Sequence, residues 1–575
     1  MSRFFLLLLS SLASITLPAQ LIIRNVNVID VGKKTILKNQ DVLVEDTRIL
    51  KLGKSLKIKT ADSHTVIDGT GKYLLPGLTD AHIHFFQSGG LYARPDAINL
   101  EKYRPYKTEI AWTHEHMNDF LRRYVAAGIT GVVDVGSSFN FLRHRDTMQR
   151  QWFTPDIRIT GPLLTTYVPK TLSELGADGP FIKMNTEEDS REAVRKQHAA
   201  KADFIKIWYI VSDSNIEAGA RKNLPLVKAA IDEAHRLNLR VAVHATEQIT
   251  ARLAVEAGAD FLVHNVEDEV ISDSFVKLLR DRKTVLAPTL VVAGNYVKVF
   301  SGKYPFTRQE LSLAHPTTVG SIIDYPYPDT ALAANYIRVT NSPAYAARQK
   351  TMDSITAVNL MKLVNGGVII ATGTDAGNTG TQHVSSYFIE LDAMKAAGMN
   401  NWQILQASTI NAAEAVGTSK TRGSISAGKT ADMILLAGNP VDSLSALLKP
   451  ELVILNGRLI RPDTLVKHTP EMLAQQQLNA YNAHNLEAFL EPYSEDVEVY
   501  EFPAKLMYKG KSEMRKQYDF LNRGGKLYCR LLNRVVQGNI VIDHEEILGV
   551  PGSPHYGIAI YEVENGKIKK VYFPD

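Results

Sequence analysis

Residues 74–86 read Leu-Leu-Pro-Gly-Leu-Thr-Asp-Ala-His-Ile-His-Phe-Phe, an apolar run that a Pro-Gly pair opens and two histidines follow. This pattern predicts a buried strand. Because successive side chains alternate across a strand, His82 and His84 point to one side and Ile83 points to the other. Neutral imidazole is the commonest protein ligand for zinc-like ions, so the pair indicates part of a metal site. Taken alone, the same pair also fits two polar residues at the end of a strand.

The stretch opens a long middle segment, residues 74–420, in which strand-like and helix-like patterns alternate. Eight strands alternating with helices predict an α/β protein built on a (β/α)₈ barrel. The connection before the last predicted strand, residues 291–366, exceeds a normal loop. We expect it to form either a lid over the site or an outer helical excursion. The strand candidates are residues 75–85, 131–135, 157–160, 204–208, 240–245, 261–265, 285–290 and 368–374.

Both flanks of this segment carry short alternating runs separated by turn residues. Residues 20–73 and 421–465 are therefore expected to pair into one β-sandwich that ties the two ends of the barrel together. After residue 467 the pattern changes to helices followed by strands with Gly-Asn and Asn-Gly turns. Residues 468–575 are expected to form a separate α+β domain.

Composition and the N-terminal residues limit the choice of partners and compartment. A formal net charge of +4 over 575 residues, without a basic run, argues against a nucleic-acid partner. Residues 1–19 combine Arg3, a short apolar run and small residues, which predicts a signal peptide cut near Ala19. We expect export to a periplasm or the exterior, without stable membrane insertion after cleavage; the alternative is an uncleaved anchor. Cys529 is the only cysteine, so no internal disulfide can form, and we expect it to be buried.

Polar residues lie at the ends of several predicted strands, where barrels of this kind place their active sites. Each follows an apolar run, and burying one such group without a partner is costly. A divalent metal centre accounts for all of them together. Singly, His244 also fits a core histidine, Lys206 a partner of a carboxylate, and Asp375 a helix N-cap. The set comprises His82, His84, Lys206, His244, His264 and Asp375.

Three stretches, residues 76–84, 372–377 and 423–432, resemble the amidohydrolase superfamily, in particular its imidazolonepropionase-like branch of metal-dependent hydrolases. The resemblance covers about residues 21–462. It implies a metal-bearing barrel with a β-sandwich made from both chain ends. Histidine and carboxylate ligands suit zinc, the expected metal, but tolerate other divalent ions. One or two ions are expected, since other branches of the superfamily keep one metal and use no lysine. The resemblance assigns His82, His84 and Asp375 to one ion, His244 and His264 to the other, and Lys206 to an N-carboxylated bridge.

Together with this resemblance, these residue types imply hydrolysis of the C–N bond of a small-molecule substrate: an amide, a peptide or a cyclic amide. A metal-activated water attacks the carbonyl, and Asp375 moves the proton to the leaving amine. We expect His383 and Tyr209 to hold a substrate carbonyl or carboxylate; the alternative for His383 is a surface loop. Arg94 and Tyr167 also follow strands and could face the site. The rival functions are ester or lactone hydrolysis, and a silent metal-binding protein that recognises a small molecule through its C-terminal domain.

The last hundred residues resemble the SnoaL-like, nuclear transport factor 2-like family of cone-shaped α+β domains. Residues 481–489, 508–513 and 560–568 carry this likeness. Relatives include isomerase-like enzymes and non-catalytic modules, and fold alone does not assign an activity. Asp543, His544 and Glu545 could perform acid/base chemistry, but strand alternation lets only some of them face the interior. We favour a binding or assembly role, which includes a homo-oligomer.

Overall fold

The computed structural model describes residues 20–57 and 64–574, so the predicted signal peptide, residues 1–19, lies outside the described residues. The first strands build a sheet in which β1 pairs with β2 and β2 with β3, all antiparallel, while β4 and β5 pair with β1 in parallel. These strands are β1 (Gln20–Asp30), β2 (Thr35–Glu45), β3 (Arg48–Gly53), β4 (Thr65–Asp68) and β5 (Tyr73–Pro76).

A parallel barrel follows. In chain order its region contains β6 (Leu78–Ile83), β7 (Ile129–Asp134), β8 (Asp156–Ile159), β9 (Leu163–Thr165), β10 (Phe181–Lys183), β11 (Ile205–Trp208), β12 (Val241–His244), β13 (Phe261–Val263), β14 (Val285–Ala287) and β15 (Ile369–Ile370). Strands β6, β7 and β8 form one parallel group, and β10, β9 and β11–β15 form the other. Backbone hydrogen bonds join the groups at both seams. At the first seam, the N–H of Asp203 donates to the carbonyl of Ile159 (2.9 Å), and at the second the N–H of Ala81 donates to the carbonyl of Thr372 (2.9 Å).

Helices cover the barrel. They are α1 (Tyr106–Ala126), α2 (Phe139–Met148), α3 (Glu187–Ala199), α4 (Ile216–Arg236), α5 (Gln248–Ala257), α6 (Asp273–Arg282), α7 (Leu290–Phe300), α8 (Arg308–Leu313), α9 (Pro316–Ile323), α10 (Thr330–Thr340), α11 (Pro343–Asn365), α12 (Ser385–Ala396), α13 (Asn401–Ala407) and α14 (Ile410–Ala415). Helices α7–α11 occupy the long connection before β15. They form an insertion in which Phe300, Ile322 and Tyr325 belong to an apolar cluster shared with the connection between β6 and α1.

The flanking sheet is completed from the other end of the barrel. Strands β16 (Met433–Leu436), β17 (Leu452–Leu455) and β18 (Arg458–Ile460) extend it through antiparallel pairing of β16 with β5. At the opposite edge, the N–H of Ile49 in β3 donates to the carbonyl of Lys429 (2.9 Å). The sheet therefore folds back on itself around its own core, as expected for a sandwich built from both flanks.

The first predicted strand, residues 75–85, is divided between the two sheets. Leu75 and Pro76 pair with β16, whereas the residues from Leu78 onward belong to the barrel. Gly77 stands at the crossing, where a Cβ atom would overlap Thr130. The sequence pattern does not show this division, because both halves are buried and form one continuous apolar run.

The C-terminal domain is an α+β unit, as expected. Helices α15 (Pro470–Asn482), α16 (Leu486–Leu490) and α17 (Lys511–Gln517) pack on a six-stranded sheet of order β20-β19-β24-β23-β22-β21. Its strands are β19 (Tyr493–Glu501), β20 (Lys505–Lys509), β21 (Tyr528–Gln537), β22 (Ile540–Leu548), β23 (His555–Glu564) and β24 (Lys567–Phe573).

This domain shares its core with the insertion of the barrel. Leu311, Ala314 and Val319 of the insertion belong to the same apolar cluster as the buried residues of the C-terminal domain. Asn479 also donates a hydrogen bond to the carbonyl of Pro316 (2.7 Å), and Arg308 forms an ion pair with Glu491 (2.7 Å). Among the described residues, no helix combines the length and apolar character needed to cross a membrane.

Candidate metal centre

The polar residues predicted from strand ends meet at one end of the barrel. Lys206 lies within β11, His244 ends β12, His264 directly follows β13, and Asp375 follows β15. Together with His84, they line a single cavity of about 250 Å³. His82 lies fully buried beneath the cavity floor, in contact with this group.

Three ligand atoms form a tight triangle at the floor. The Oδ1 atom of Asp375 lies 3.1 Å from Nε2 of His82 and 3.0 Å from Nε2 of His84. The two Nε2 atoms are 3.3 Å apart. Among the described residues, this is the group of side chains whose spacing suits a metal ion.

The other oxygen of Asp375 faces a second pair of histidines. Its Oδ2 atom is 3.9 Å from Nε2 of His264. The rings of His264 and His244 lie with centroids 4.4 Å apart, edge to face. The carboxylate of Asp375 therefore stands between two sets of imidazoles, and the amine of Lys206 faces the same cavity.

Hydrogen bonds to the far side of two rings orient them toward this point. Nδ1 of His84 lies 2.7 Å from the carbonyl oxygen of Gly136, which can only accept, so Nδ1 donates its proton there and Nε2 faces Asp375. Nδ1 of His264 lies 2.6 Å from the hydroxyl of Thr289. Outer partners of this kind fix the tautomer and the direction of metal-binding histidines.

Two buried carboxyl groups that the sequence analysis did not select support the ligands. Asp80 accepts hydrogen bonds from the N–H of His82 (3.2 Å) and from the N–H and hydroxyl of Thr374 (3.1 and 2.8 Å). Asp134 accepts from the N–H groups of Phe85 (3.3 Å) and Gly136 (3.2 Å). Burial raises the pKa of each to about 7. Both acids stand inside or at the end of apolar strand runs, and that signal was present in the sequence.

The backbone is strained at two of the candidate ligands. His264 has φ +77° and Asp375 has φ +62°, in the left-handed region that side chains with a Cβ rarely adopt. Such conformations persist where the surrounding structure holds them, and they cluster at functional sites.

The donor set fits a divalent cation. Burial lowers the pKa of His264 to about 4 and holds the pKa of His82 well below its usual value, so both rings are neutral at pH 7 with a free lone pair. Burial also lowers the pKa of Lys206 to about 7. The Oδ1 atom of Asp375 is buried without a hydrogen-bond partner in the described part of the chain, as a metal-ligating oxygen would be.

The structure does not bring His383 and Tyr209 to the cavity. Nδ1 of His383 lies 2.9 Å from the hydroxyl of Tyr124, and its Nε2 lies 2.9 Å from the carbonyl oxygen of Gln87. The hydroxyl of Tyr209 donates to the carbonyl of Ala220 (2.5 Å). Both side chains are buried and have these partners, so we revise their predicted role from substrate binding to support of the fold.

Of the two residues left unranked by sequence, Arg94 lines the cavity and Tyr167 does not. The guanidinium of Arg94 pairs with Asp96 (2.6 Å) and donates to the hydroxyl of Tyr296 (2.9 Å) and to Asn378. Asn378 in turn donates to the carbonyl of Asp375 (3.0 Å). Arg94 therefore reaches the metal ligands through a network that only the folded chain reveals.

Glu267 is an acidic residue in the cavity wall. No cationic side chain is among the groups that shift its pKa. Burial, and then the nearby carboxylates of Glu247, Asp353 and Asp268, raise the pKa of Glu267 to about 7. Apolar and aromatic side chains form much of the remaining wall: Phe86, Leu163, Leu172, Phe181, Trp208, Val292 and Tyr296.

Residues 73–460 match the amidohydrolase family over most of the chain. The chain belongs to this family. Residues 474–571 match the SnoaL-like domain, as expected for the C-terminal unit. The barrel and its flanking sheet are therefore an amidohydrolase fold, and the metal dependence of the family agrees with the donor set at its mouth.

Known proteins resemble this amidohydrolase at low identity. The dihydroorotase of Bacillus cereus is 25% identical over 258 residues, which cover 42% of this chain and 53% of that protein. The match thus spans about half the length of this curated relative. A prolidase solved with N-methylphosphonate-L-proline has a TM-score of 0.57 at 20% identity, covering 77% of this chain and 100% of that one. The A. niger ochratoxinase has a TM-score of 0.57 at 19% identity, covering 77% and 96%. The two structures show the shared fold.

Proposed function

We propose that this amidohydrolase cleaves amide or other C–N bonds of small molecules with a divalent metal ion, zinc being the best match to its imidazole and carboxylate ligands. The observation that carries the proposal is the carboxylate of Asp375, placed between His82 and His84 on one side and His264 on the other. Two sets of donors on either side of one carboxylate favour two ions, with Lys206 as an N-carboxylated bridge.

The metal, when bound, acidifies a water molecule and polarises the carbonyl of the substrate. The carboxylate of Asp375 lies beside the ring nitrogens of His82 and His84, so it can accept the proton of the attacking water. The same carboxyl can then pass this proton to the nitrogen of the leaving amine. Apolar side chains line much of the cavity, and its volume of about 250 Å³ suits a small-molecule substrate.

The charge of the cavity wall supports a dipeptide-like substrate within this class. Glu267 is half-buried and its neighbours are other carboxylates, so it favours a positively charged group of the substrate. A protonated amine near the scissile carbonyl satisfies it. The prolidase solved with a proline derivative is similar in fold, and this likeness agrees with such a substrate.

Purified metal-loaded protein, assayed against dipeptides, N-acyl amino acids, cyclic imides and lactones, tests the proposal. We expect hydrolysis of at least one C–N substrate, and loss of that activity together with bound metal in a His82→Ala, His84→Ala variant. A matched control is His235→Ala, which removes an exposed histidine paired with Asp260 away from the site. Turnover of lactones alone would instead assign the centre to esters.

We also propose export after cleavage near Ala19, on the basis of the n-region and apolar run at residues 1–19. The measurement is N-terminal sequencing of the mature protein from the extracytoplasmic fraction. A mature chain that keeps Met1 and stays in the cytoplasmic fraction would contradict export.

A further inference from the structure

Helix α9 of the insertion packs directly against α15 of the C-terminal domain. Val319 of α9 lies in the core of that domain, and Asn479 of α15 donates a hydrogen bond to the carbonyl of Pro316 (2.7 Å). At Gly320 the two helices are so close that a Cβ atom would lie 2.7 Å from Nε2 of Gln475 and 2.9 Å from Oδ1 of Asn479. The position of α9 therefore depends on the docked C-terminal domain.

The opposite side of α9 contacts the segment that follows His84, since residues one and a half turns apart face opposite ways on a helix. The hydroxyl of Ser321 accepts a hydrogen bond from the N–H of Leu91 (3.0 Å) and donates one to the carbonyl of Thr318 (2.6 Å). At Gly90 a Cβ atom would lie 2.6 Å from that hydroxyl oxygen. The backbone that continues from this metal ligand thus lies directly on α9.

The same side of α9 contacts the segment that carries Asp375. The hydroxyl of Thr318 donates to Oε1 of Gln382 (2.5 Å), and Nε2 of Gln382 donates to the carbonyl of Gly89 (2.7 Å). The N–H of Gly89 donates in turn to the carbonyl of Gly377 (2.8 Å), two residues after the ligand. Thr318 and Gln382 are buried, so water does not compete for these bonds. The bonds hold the two ligand-bearing segments together beside α9.

The candidate metal centre is sensitive to the relative position of these two segments. Nε2 of His84 and Oδ1 of Asp375 are 3.0 Å apart, and a metal site tolerates deviations of only about 0.2 Å in its ligand distances. The backbone of Asp375 also has φ +62°, a conformation that persists only where the surrounding structure holds it. A small movement of either segment therefore weakens the ligand set.

We propose that the C-terminal domain positions the metal ligands of the barrel through α9, with Thr318, Gly320 and Ser321 as positioning residues. The domain supports one side of α9, and the other side holds the segments of His84 and Asp375 at the spacing that a metal needs. This inference rests on the proposed function only for the presence of a metal at the centre. None of the described residues of the C-terminal domain lines the cavity, so its contribution is indirect.

Gly320→Ala in the full-length chain tests the contact between the helices. Its methyl group would overlap side chains of α15, whereas within α9 alone alanine is the better helix former, so a loss reports the contact with the C-terminal domain. We expect zinc affinity, measured by competition with a chelator, to fall by roughly 2–30-fold, the range seen for substitutions along coupled networks. Asn479→Ala removes the donor to Pro316 and should lower the affinity in the same direction. It decides if Gly320→Ala does not fold by circular dichroism.

Thr318→Val tests the other side of α9, because it removes the hydroxyl donor and keeps the shape of the side chain. Zinc affinity should again fall by about twofold or more. Since both changes act through one helix, the double variant with Gly320→Ala should lose less than the product of the two separate factors. The matched control is Arg308→Ala, which breaks the ion pair with Glu491 at the same domain boundary and should leave zinc affinity unchanged.

Hydrogen exchange separates positioning from a general loss of stability. In metal-free Gly320→Ala, the amides of residues 375–382 should exchange faster than in the original chain, while those of α4 should not change. A lower melting temperature with unchanged zinc affinity and unchanged exchange at residues 375–382 would overturn the proposal. If the original chain binds zinc but cleaves no C–N substrate, the proposed function fails and the zinc affinities still decide this inference. An original chain that binds no zinc would overturn both.

Discussion

Asp80 accepts hydrogen bonds from both the backbone N–H and the side-chain hydroxyl of Thr374, at 3.1 and 2.8 Å. These bonds join β6, which carries His82, to the segment that carries Asp375, and they close the barrel beside the metal ligands. We therefore expect Asp80→Asn to lower metal affinity by roughly 10–100-fold, as loss of an outer partner does elsewhere. Metal titration with a competing chelator measures the change.

Thr374→Val is the matched control, because it removes the hydroxyl donor of the same pair. Since the two side chains interact directly, the double variant should lose less metal affinity than the sum of the single losses. Additive losses would mean that Asp80 acts on the metal centre without Thr374.

Asp375→Asn separates ligation from proton transfer. The amide is similar in size and still offers an oxygen to a metal, but it cannot accept a proton near neutral pH. We expect turnover to fall by roughly 10²–10⁴-fold in protein shown by elemental analysis to be metal-loaded. Retention of more than about a tenth of the original turnover in loaded protein would remove Asp375 as the base.

Glu267→Gln tests recognition of a charged amine. With a free dipeptide, the variant should show a KM raised by about tenfold or more, since a hydrogen bond to a charged group is lost. The N-acetylated form of the same dipeptide should show the same KM with both proteins. An equal rise in KM for both substrates would indicate a change in cavity shape instead of a lost charge interaction.

The buried carboxyl group of Glu390 should make the free energy of unfolding fall as pH rises. It accepts hydrogen bonds from the N–H groups of Leu290 (2.9 Å) and Val291 (3.1 Å), and burial raises its pKa to about 8. Because the folded chain binds this proton more tightly than the unfolded chain, its contribution is complete below pH 4.5 and is lost between pH 4.5 and 8. The free energy of unfolding should fall by up to about 1.4 kcal/mol per pH unit in this window.

Glu390→Gln should flatten this part of the profile, because the amide does not titrate. Its single oxygen can accept only one of the two backbone bonds, so the variant should also be less stable than the original protein at pH 5. Urea unfolding at pH 5, 6.5 and 8 compares the two proteins. Parallel profiles would show that other groups cause the dependence.

The shared core predicts what happens when the C-terminal domain is removed. A chain ending at residue 467 exposes Leu311, Ala314 and Val319, which pack into that domain. We expect a lower melting temperature and stronger binding of a hydrophobic dye than in the full-length chain. Unchanged melting with no gain in dye binding would show that the two units are independent, as the change of sequence pattern near residue 468 first indicated.

Much of the site was predictable, because the ligands obey a local rule. Each of His244, His264 and Asp375 follows an apolar run, and a barrel brings the ends of all such runs to one rim. Asp80 and Asp134 carried a similar signal and were missed, since a carboxylate inside an apolar run was read as part of the strand. His383 and Tyr209 had no signal that distinguishes a buried supporting side chain from one that faces a substrate.

The sequence alone was sufficient to predict the alternation of strands and helices, the role of the His-x-His pair and the change of pattern near residue 468. These features depend on neighbours close in the chain, whose side-chain directions follow from backbone geometry. Tertiary structure decided the division of the first strand at Gly77, the hydrogen bonds from Thr374 to Asp80, and the insertion's place in the core of the C-terminal domain. In each case the partners are far apart in sequence, so the contact depends on how whole elements pack.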